Sequence, residues 1–109
     1  MIPPDRPVIV DLSREEVKRG LSDGSLLLVD VREPHEFEAG HIPGSVSMPL
    51  SAFDPEALTG EEGRRVVLSC AAGIRSARAL EFLQANGIDL REHYAGGFKD
   101  WAGSGEPVA

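Results

Sequence analysis

A chain of 109 residues has room for one domain around a single hydrophobic core, and not for two. Its formal charge of −7 argues against a general nucleic-acid or anionic-membrane binder, because such surfaces need clustered Lys and Arg. A lone cysteine excludes an internal disulfide, residues 1–7 hold no apolar stretch of signal-peptide length, and the longest apolar run (residues 26–29) is far too short to span a bilayer, so a reducing, cytoplasmic setting is the expectation.

Residues 8–10 read as a first strand. Ser13 and Glu16 then form a capping box, with Leu12 stapled onto Val17, and open a helix over residues 14–21 that stops near Gly24. Residues 26–31 are an almost continuous apolar run, as expected of a parallel strand buried on both faces. Pro34 starts a short helix that ends at Gly40. A turn over residues 41–45 leads to a brief strand at 46–48, and Ser51 caps a short helix over 52–58. Residues 59–63 form an acidic surface loop, 65–69 the next buried strand, and 76–86 the clearest helix, with Gly87 and Ile88 placed for a Schellman ending. Residues 91–94 make the last strand, and Gly96-Gly97 turns the chain into a closing helix whose Phe98 and Trp101 face the core. Strands alternating with helices predict an α/β fold with a parallel sheet covered on both faces.

Cys70 stands where the strand at 65–69 gives way to the helix. An apolar run enters Ser69-Cys70-Ala71-Ala72-Gly73-Ile74-Arg75-Ser76, small residues around a glycine followed by an arginine and a serine. The thiolate is the reactive form of cysteine, and a helix N-terminus supplies free N–H groups and positive potential that favour it. A buried cysteine acting as a small hydrophobe is the bland alternative. The strand-to-helix position, the glycine and the arginine argue for a reactive one. Gly73 supplies a positive φ or a close backbone approach inside the loop. His35, His41 and His93 lack metal-ligand spacing and only one thiol is present, so no metal or cofactor is expected.

Four segments carry a resemblance. Leu28-Val29-Asp30-Val31-Arg32-Glu33-Pro34-His35-Glu36-Phe37 with Gly40-His41-Ile42-Pro43-Gly44-Ser45, the Cys70 to Ser76 loop, Tyr94-Ala95-Gly96-Gly97-Phe98 with Trp101, and Gly105-Glu106-Pro107-Val108 are similar, in order, to the signatures of rhodanese-like sulfurtransferases. The resemblance runs from about residue 8 to residue 108. It implies a three-layer α/β/α domain with a five-stranded parallel sheet, one rhodanese-like domain over residues 1–109.

It also implies a reaction. Thiolate Cys70 attacks the outer sulfur of a small anionic donor such as thiosulfate, becomes a persulfide, and yields that sulfur to a thiol, cyanide or protein acceptor. The active-site loop of Ala71, Ala72, Gly73, Ile74, Arg75 and Ser76 stabilises the persulfide and orients the donor through its backbone N–H groups. Some thiosulfate-preferring members carry basic residues where Ala71 and Ala72 stand, so the donor stays open; Ser45 replaces an alanine common in the family. Arg75 either binds the donor's sulfonate or pairs with a carboxylate that holds the loop, since its fork suits both. Arg78 is a solvated surface charge. Asp30 and Arg32 lie at the C-terminal end of a strand, the edge where open α/β sheets gather ligands. They read first as an ion network with Glu36 that fixes the following loop, and second as an orienting element for the Cys70 loop. His41 would suit a cysteine hydrolase as base, and the resemblance gives its segment a structural role instead.

A cysteine-dependent phosphatase of the same architecture needs five residues between Cys and Arg to close around phosphate; here there are four, Ala71 to Ile74. A binding or regulatory module, and a dedicated sulfur carrier for a partner enzyme, remain the other readings.

Overall fold

Leu26, Leu28 and Val29 are sealed from solvent and Leu27 nearly so; a strand apolar on both faces must be sandwiched, and this sets the architecture. In the computed structural model, which describes residues 6–58 and 63–109, β2 (Leu26–Asp30) lies between β4 (Arg65–Ser69) and β3 (Val46–Ser47). With β5 (Glu92–Tyr94) and β1 (Val10–Leu12) they form a five-stranded, all-parallel sheet in the order β1-β5-β4-β2-β3. α1 (Arg14–Asp23) and α4 (Gly97–Gly103) cover one face, where Leu12, Val17, Leu28, Val67, Tyr94 and Trp101 pack together. α3 (Ile74–Ala85) covers the other, over Val29, Leu68, Cys70, Ala79, Leu80 and Leu83. α2 (Pro34–Ala39) links β2 to β3. This is the three-layer α/β/α arrangement that the sequence predicts.

Local signals account for most element ends. The Ser13 box is complete: Glu16 N–H donates to Ser13 Oγ, and Ser13 N–H to the Glu16 carboxylate at 3.0 Å. α3 ends in a full Schellman pair, Ile88 N–H to Leu83 O at 2.9 Å and Gly87 N–H to Gln84 O at 3.0 Å. α1 ends at Asp23 with Gly24 in the left-handed region as its C-cap, at the stop expected there.

Three expectations are corrected. β1 spans residues 10–12, not 8–10, because the Val8 backbone is taken by the Gln84 side chain, which accepts from Val8 N–H at 2.9 Å and donates to Val8 O at 2.7 Å. The helix expected over 52–58 is instead two short 3-10 turns, Leu50–Ala52 and Pro55–Leu58. Pro55 has no N–H to donate and disfavours helical backbone at Asp54, and Phe53 before it is extended, so the two turns stay separate. Ser51 does not cap a helix; its hydroxyl donates to Glu33 at 3.0 Å. α3 starts at Ile74 rather than Ser76, its N-cap being Gly73. The acidic loop at 59–63 lies, apart from Gly63, outside the described residues.

The register places the site. Asp30 is level with Ser69, and Val31 N–H donates to Ser69 O at 2.8 Å, so the loops after β2 and β4 leave the sheet side by side at its C-terminal edge.

Candidate functional site

Cys70 follows the last residue of β4 and turns under the first turn of α3, with 1% of its surface exposed. Its Sγ accepts the N–H of Gly73 at 3.1 Å and of Ser76 at 3.4 Å, and lies 3.5 Å from Ser76 Oγ. Ser76 is the third residue of α3, so its N–H has no partner within the helix and is free for the sulfur. Burial pushes the Cys70 thiol up. Hydrogen bonds from the Ser76 side chain and from the N–H groups of Ser76, Ala72 and Gly73 outweigh it, and the net effect holds the thiol below its ordinary range. Ala71 and Ala72 put only small side chains here, while Ile74 projects into solvent, 65% exposed.

Two glycines let this loop close. Gly73 has φ +86°, and a Cβ there would stand 2.3 Å from Ala95 O. Gly97, at φ +66°, brings its backbone so near that a Cβ would be 2.6 Å from both Cys70 O and Ala71 O. The first amides of α4 then hold the loop from outside: Phe98 N–H donates to Cys70 O at 2.8 Å and Lys99 N–H to Ala71 O at 3.0 Å. From the sequence, Gly96-Gly97 marks only the turn into the closing helix.

Arg75 has a carboxylate partner, the second of its two expected roles. Its Nη1 and Nη2 grip the Glu36 carboxylate at 2.8 and 2.9 Å, tying the cysteine loop to α2. The network expected among Asp30, Arg32 and Glu36 therefore does not form. Arg32 turns inward instead, doubly bonded to Asp30 (Nη2 to Oδ2 at 2.8 Å), donating to Gly40 O at 2.8 Å and lying 4.4 Å from the Phe98 ring centre. Both members of that pair are 4% exposed. It braces the loop after β2, and Cys70 is not among its contacts. Arg78 is exposed on α3, as expected.

The Arg75 side chain holds the Glu36 carboxyl at about 2, below its ordinary 4.5, against the opposing effect of burial and with a lesser contribution from the Glu33 amide. A depressed carboxyl stabilises the fold above its unfolded value of 4.5, and that stabilisation disappears as pH falls toward 2. Because the pair is partly exposed and solvent-screened, its contribution is about 1 kcal/mol. Glu36→Gln should thus lower the unfolding free energy by that amount at neutral pH, with the gap closing in acid; urea titrations at several pH values check this, and a pH-independent gap would place the effect elsewhere.

The histidines separate. His41 stacks on Phe37 (ring centres 3.8 Å apart) and donates from Nδ1 to Phe37 O at 2.9 Å, a structural arrangement. His93 is 3% exposed, and in the sequence it shows only a lack of metal-ligand spacing. In the structure its Nδ1 is 2.8 Å from Ser76 Oγ and its Nε2 2.7 Å from Asp11 Oδ1. Its one sequence signal is a place in the strand that pairs with β4, and reading that signal requires the strand order. Trp101 is buried edge-on to Tyr94, its Nε1–H donating to Pro107 O at 2.6 Å, and Phe98 packs against the same core. Among the described residues no group of three or more His, Cys, Asp or Glu could hold a metal ion, and no helix is long and apolar enough to cross a membrane.

The arrangement is chemically a buried thiol, biased to thiolate, at the centre of an amide ring. Comparison with known proteins gives concordant matches. The model of the rhodanese-like domain matches residues 13–104. An uncharacterized protein of Synechocystis is 41% identical over 84 residues, covering 77% of this chain and 47% of that protein, so the chain spans about half that relative's length. The thiosulfate:glutathione sulfurtransferase of Saccharomyces cerevisiae is 31% identical over 112 residues, covering 89% of this chain and 81% of the relative. A solved structure from Rhodopseudomonas palustris, described as of unknown function and a possible tyrosine phosphatase, superposes with a TM-score of 0.78 at 31% identity, covering 93% of this chain and 85% of that one.

Proposed function

Because the chain belongs to the rhodanese-like domain family, we propose that it moves sulfane sulfur from an anionic donor such as thiosulfate to a thiophilic acceptor through a Cys70 persulfide. The observation that carries this reading is the cradle: a nearly sealed Sγ whose N–H donors, from Gly73 and Ser76, favour negative charge. Thiolate Cys70 attacks the outer sulfur of thiosulfate. A new S–S bond forms as the donor's S–S bond breaks, sulfite leaves with the electron pair, and the negative charge passes to the outer persulfide sulfur. A thiol, cyanide or protein nucleophile then takes that sulfur and returns Cys70 as thiolate. The loop amides stabilise each anionic stage without rearranging. With one cysteine in the chain, any second thiol comes from the acceptor.

Phosphatase chemistry is disfavoured on two grounds. Only four residues separate Cys70 from Arg75, and the Arg75 fork is closed on Glu36 rather than open toward a substrate. A second reading, a dedicated carrier that hands the persulfide to a partner enzyme, is favoured by the apolar side chains of Ile74 and Phe82, 65% and 69% exposed on the helix that follows the loop.

Incubation with thiosulfate should add the mass of one sulfur atom, which cyanide removes as thiocyanate, and Cys70→Ser should gain none. A wild type that never gains a cyanide-removable sulfur, from thiosulfate or from a mercaptopyruvate-type donor, would sink the proposal. A carrier would load as fast yet turn over slowly with small acceptors.

A further inference from the structure

The Cys70 sulfur is one end of a chain of polar atoms that is buried through Ser76 and His93 and reaches the surface at Asp11, whose side chain is 70% exposed. Ser76 Oγ sits between Cys70 Sγ at 3.5 Å and His93 Nδ1 at 2.8 Å, and His93 Nε2 reaches Asp11 Oδ1 at 2.7 Å. Ser76 is fully buried, and Cys70 and His93 are 1% and 3% exposed, so this hydroxyl has no water to turn to. The elements that aim these groups are all different: Cys70 directly follows β4, Ser76 is in the first turn of α3, His93 is in β5, and Asp11 is its register partner in β1. The groups facing the imidazole are Asp11, Ser76 and, through Ser76, Cys70. Its strand neighbours Glu92 and Tyr94 are engaged with Arg65 and Asp100, and Arg91, just before the strand, with Asp89.

A hydroxyl carries one proton, and this fixes the logic. The Asp11 carboxylate accepts only, so His93 carries its Nε2 proton toward it. If His93 is otherwise neutral, Nδ1 is bare and takes the Ser76 proton, leaving Ser76 Oγ to accept from a Cys70 S–H. If Cys70 is a thiolate and the Ser76 proton points to its sulfur, Nδ1 carries its own proton to face the Ser76 lone pair. One concerted shift connects the two states: the thiol proton moves to Ser76 Oγ while the Ser76 proton moves to His93 Nδ1. Charge and atoms balance, and no outside acid or base takes part.

We infer that His93 is a positioning residue that holds the Cys70 proton, so that the resting site is a thiolate and an imidazolium bridged by the Ser76 hydroxyl and flanked by Asp11. The inference deepens the sulfur-transfer reading and rests on Cys70 being its reacting thiol. It explains why a histidine is buried against a serine whose hydroxyl already has a sulfur to serve. Through turnover the Ser76 proton stays aimed at the anionic sulfur, because His93 has a proton of its own to offer.

The test reads thiol ionisation without any sulfur donor. Iodoacetamide alkylation of Cys70 is followed across pH in wild type and His93→Asn, whose amide can donate to Ser76 but cannot take up a proton. His93→Asn should alkylate about tenfold more slowly near neutral pH, one unit of thiol ionisation, and should converge with wild type in alkali. A folded His93→Asn with the wild-type profile would overturn the inference. Nitrogen-15 NMR of the wild-type imidazole supplies a readout that needs no histidine variant: both ring nitrogens should be protonated at neutral pH, and Cys70→Ser should lose the Nδ1 proton. An Nδ1 without a proton in the wild type would equally overturn it. A protein that shows these shifts but loads no sulfur keeps the relay and loses the transferase reading; one that loads sulfur with an unshifted profile does the reverse.

Discussion

Arg32→Met is expected to destabilise the fold by about 3–5 kcal/mol, the range seen when one partner of a buried ion pair is removed. Methionine fills much of the space but carries no charge, and the Asp30 carboxylate, 4% exposed, is left buried with little beyond the Arg32 backbone N–H at 3.0 Å. Two further contacts go with the guanidinium, the bond to Gly40 O and the stacking on Phe98, and these join the β2 loop to α2 and α4. Denaturant unfolding reads the loss directly. Pairing the change with Asp30→Leu should recover part of it, since the penalty lies in the orphaned carboxylate rather than in missing attraction. Because neither side chain reaches Cys70, sulfur loading per folded molecule should stay close to wild type. A loss under about 1 kcal/mol would put Asp30 in contact with water and remove the bracing role assigned to it.

The second large effect concerns the loop. One residue inserted between Gly73 and Arg75 should lower the rate of persulfide formation by at least about 100-fold, comparable with removal of an oxyanion-hole donor. An inserted residue turns everything behind it by roughly 100° about the helix axis, which takes the Ser76 N–H and hydroxyl away from Sγ and breaks the Arg75–Glu36 tie. The thiol then keeps its burial and loses both Ser76 donors, which raises it relative to the intact loop. Gly73→Ala should act in the same direction, since its Cβ would meet Ala95 O at 2.3 Å in a backbone conformation that alanine resists. Intact-mass kinetics with thiosulfate, on protein whose circular dichroism matches wild type, decide the matter. Unchanged loading in the insertion variant would refute the link between ring size and persulfide chemistry.

Much of this was legible from residues a few positions apart. The Ser13–Glu16 box, the unbroken apolar run of β2, the Schellman ending at Gly87 and the placing of Cys70 before a helix are each written in a short window, because each depends on backbone geometry that neighbouring residues set. The one short helix that misread, over 52–58, failed locally too, where Pro55 outweighed the apparent pattern. The motif order along the chain was enough to place it among rhodanese-like domains.

The partners of the charged and polar groups were decided elsewhere. From the sequence Glu36 belongs with Arg32, four residues away, yet it pairs with Arg75, 39 residues on. Ser76 meets His93 across 17 residues, and His93 meets Asp11 across 82. Sequence windows fix which elements form and where a thiol meets a helix start. Which strands become neighbours, and so which side chains face each other across the sheet, follows from how both apolar faces of β2 and β4 are covered at once, a choice made only when the whole chain packs.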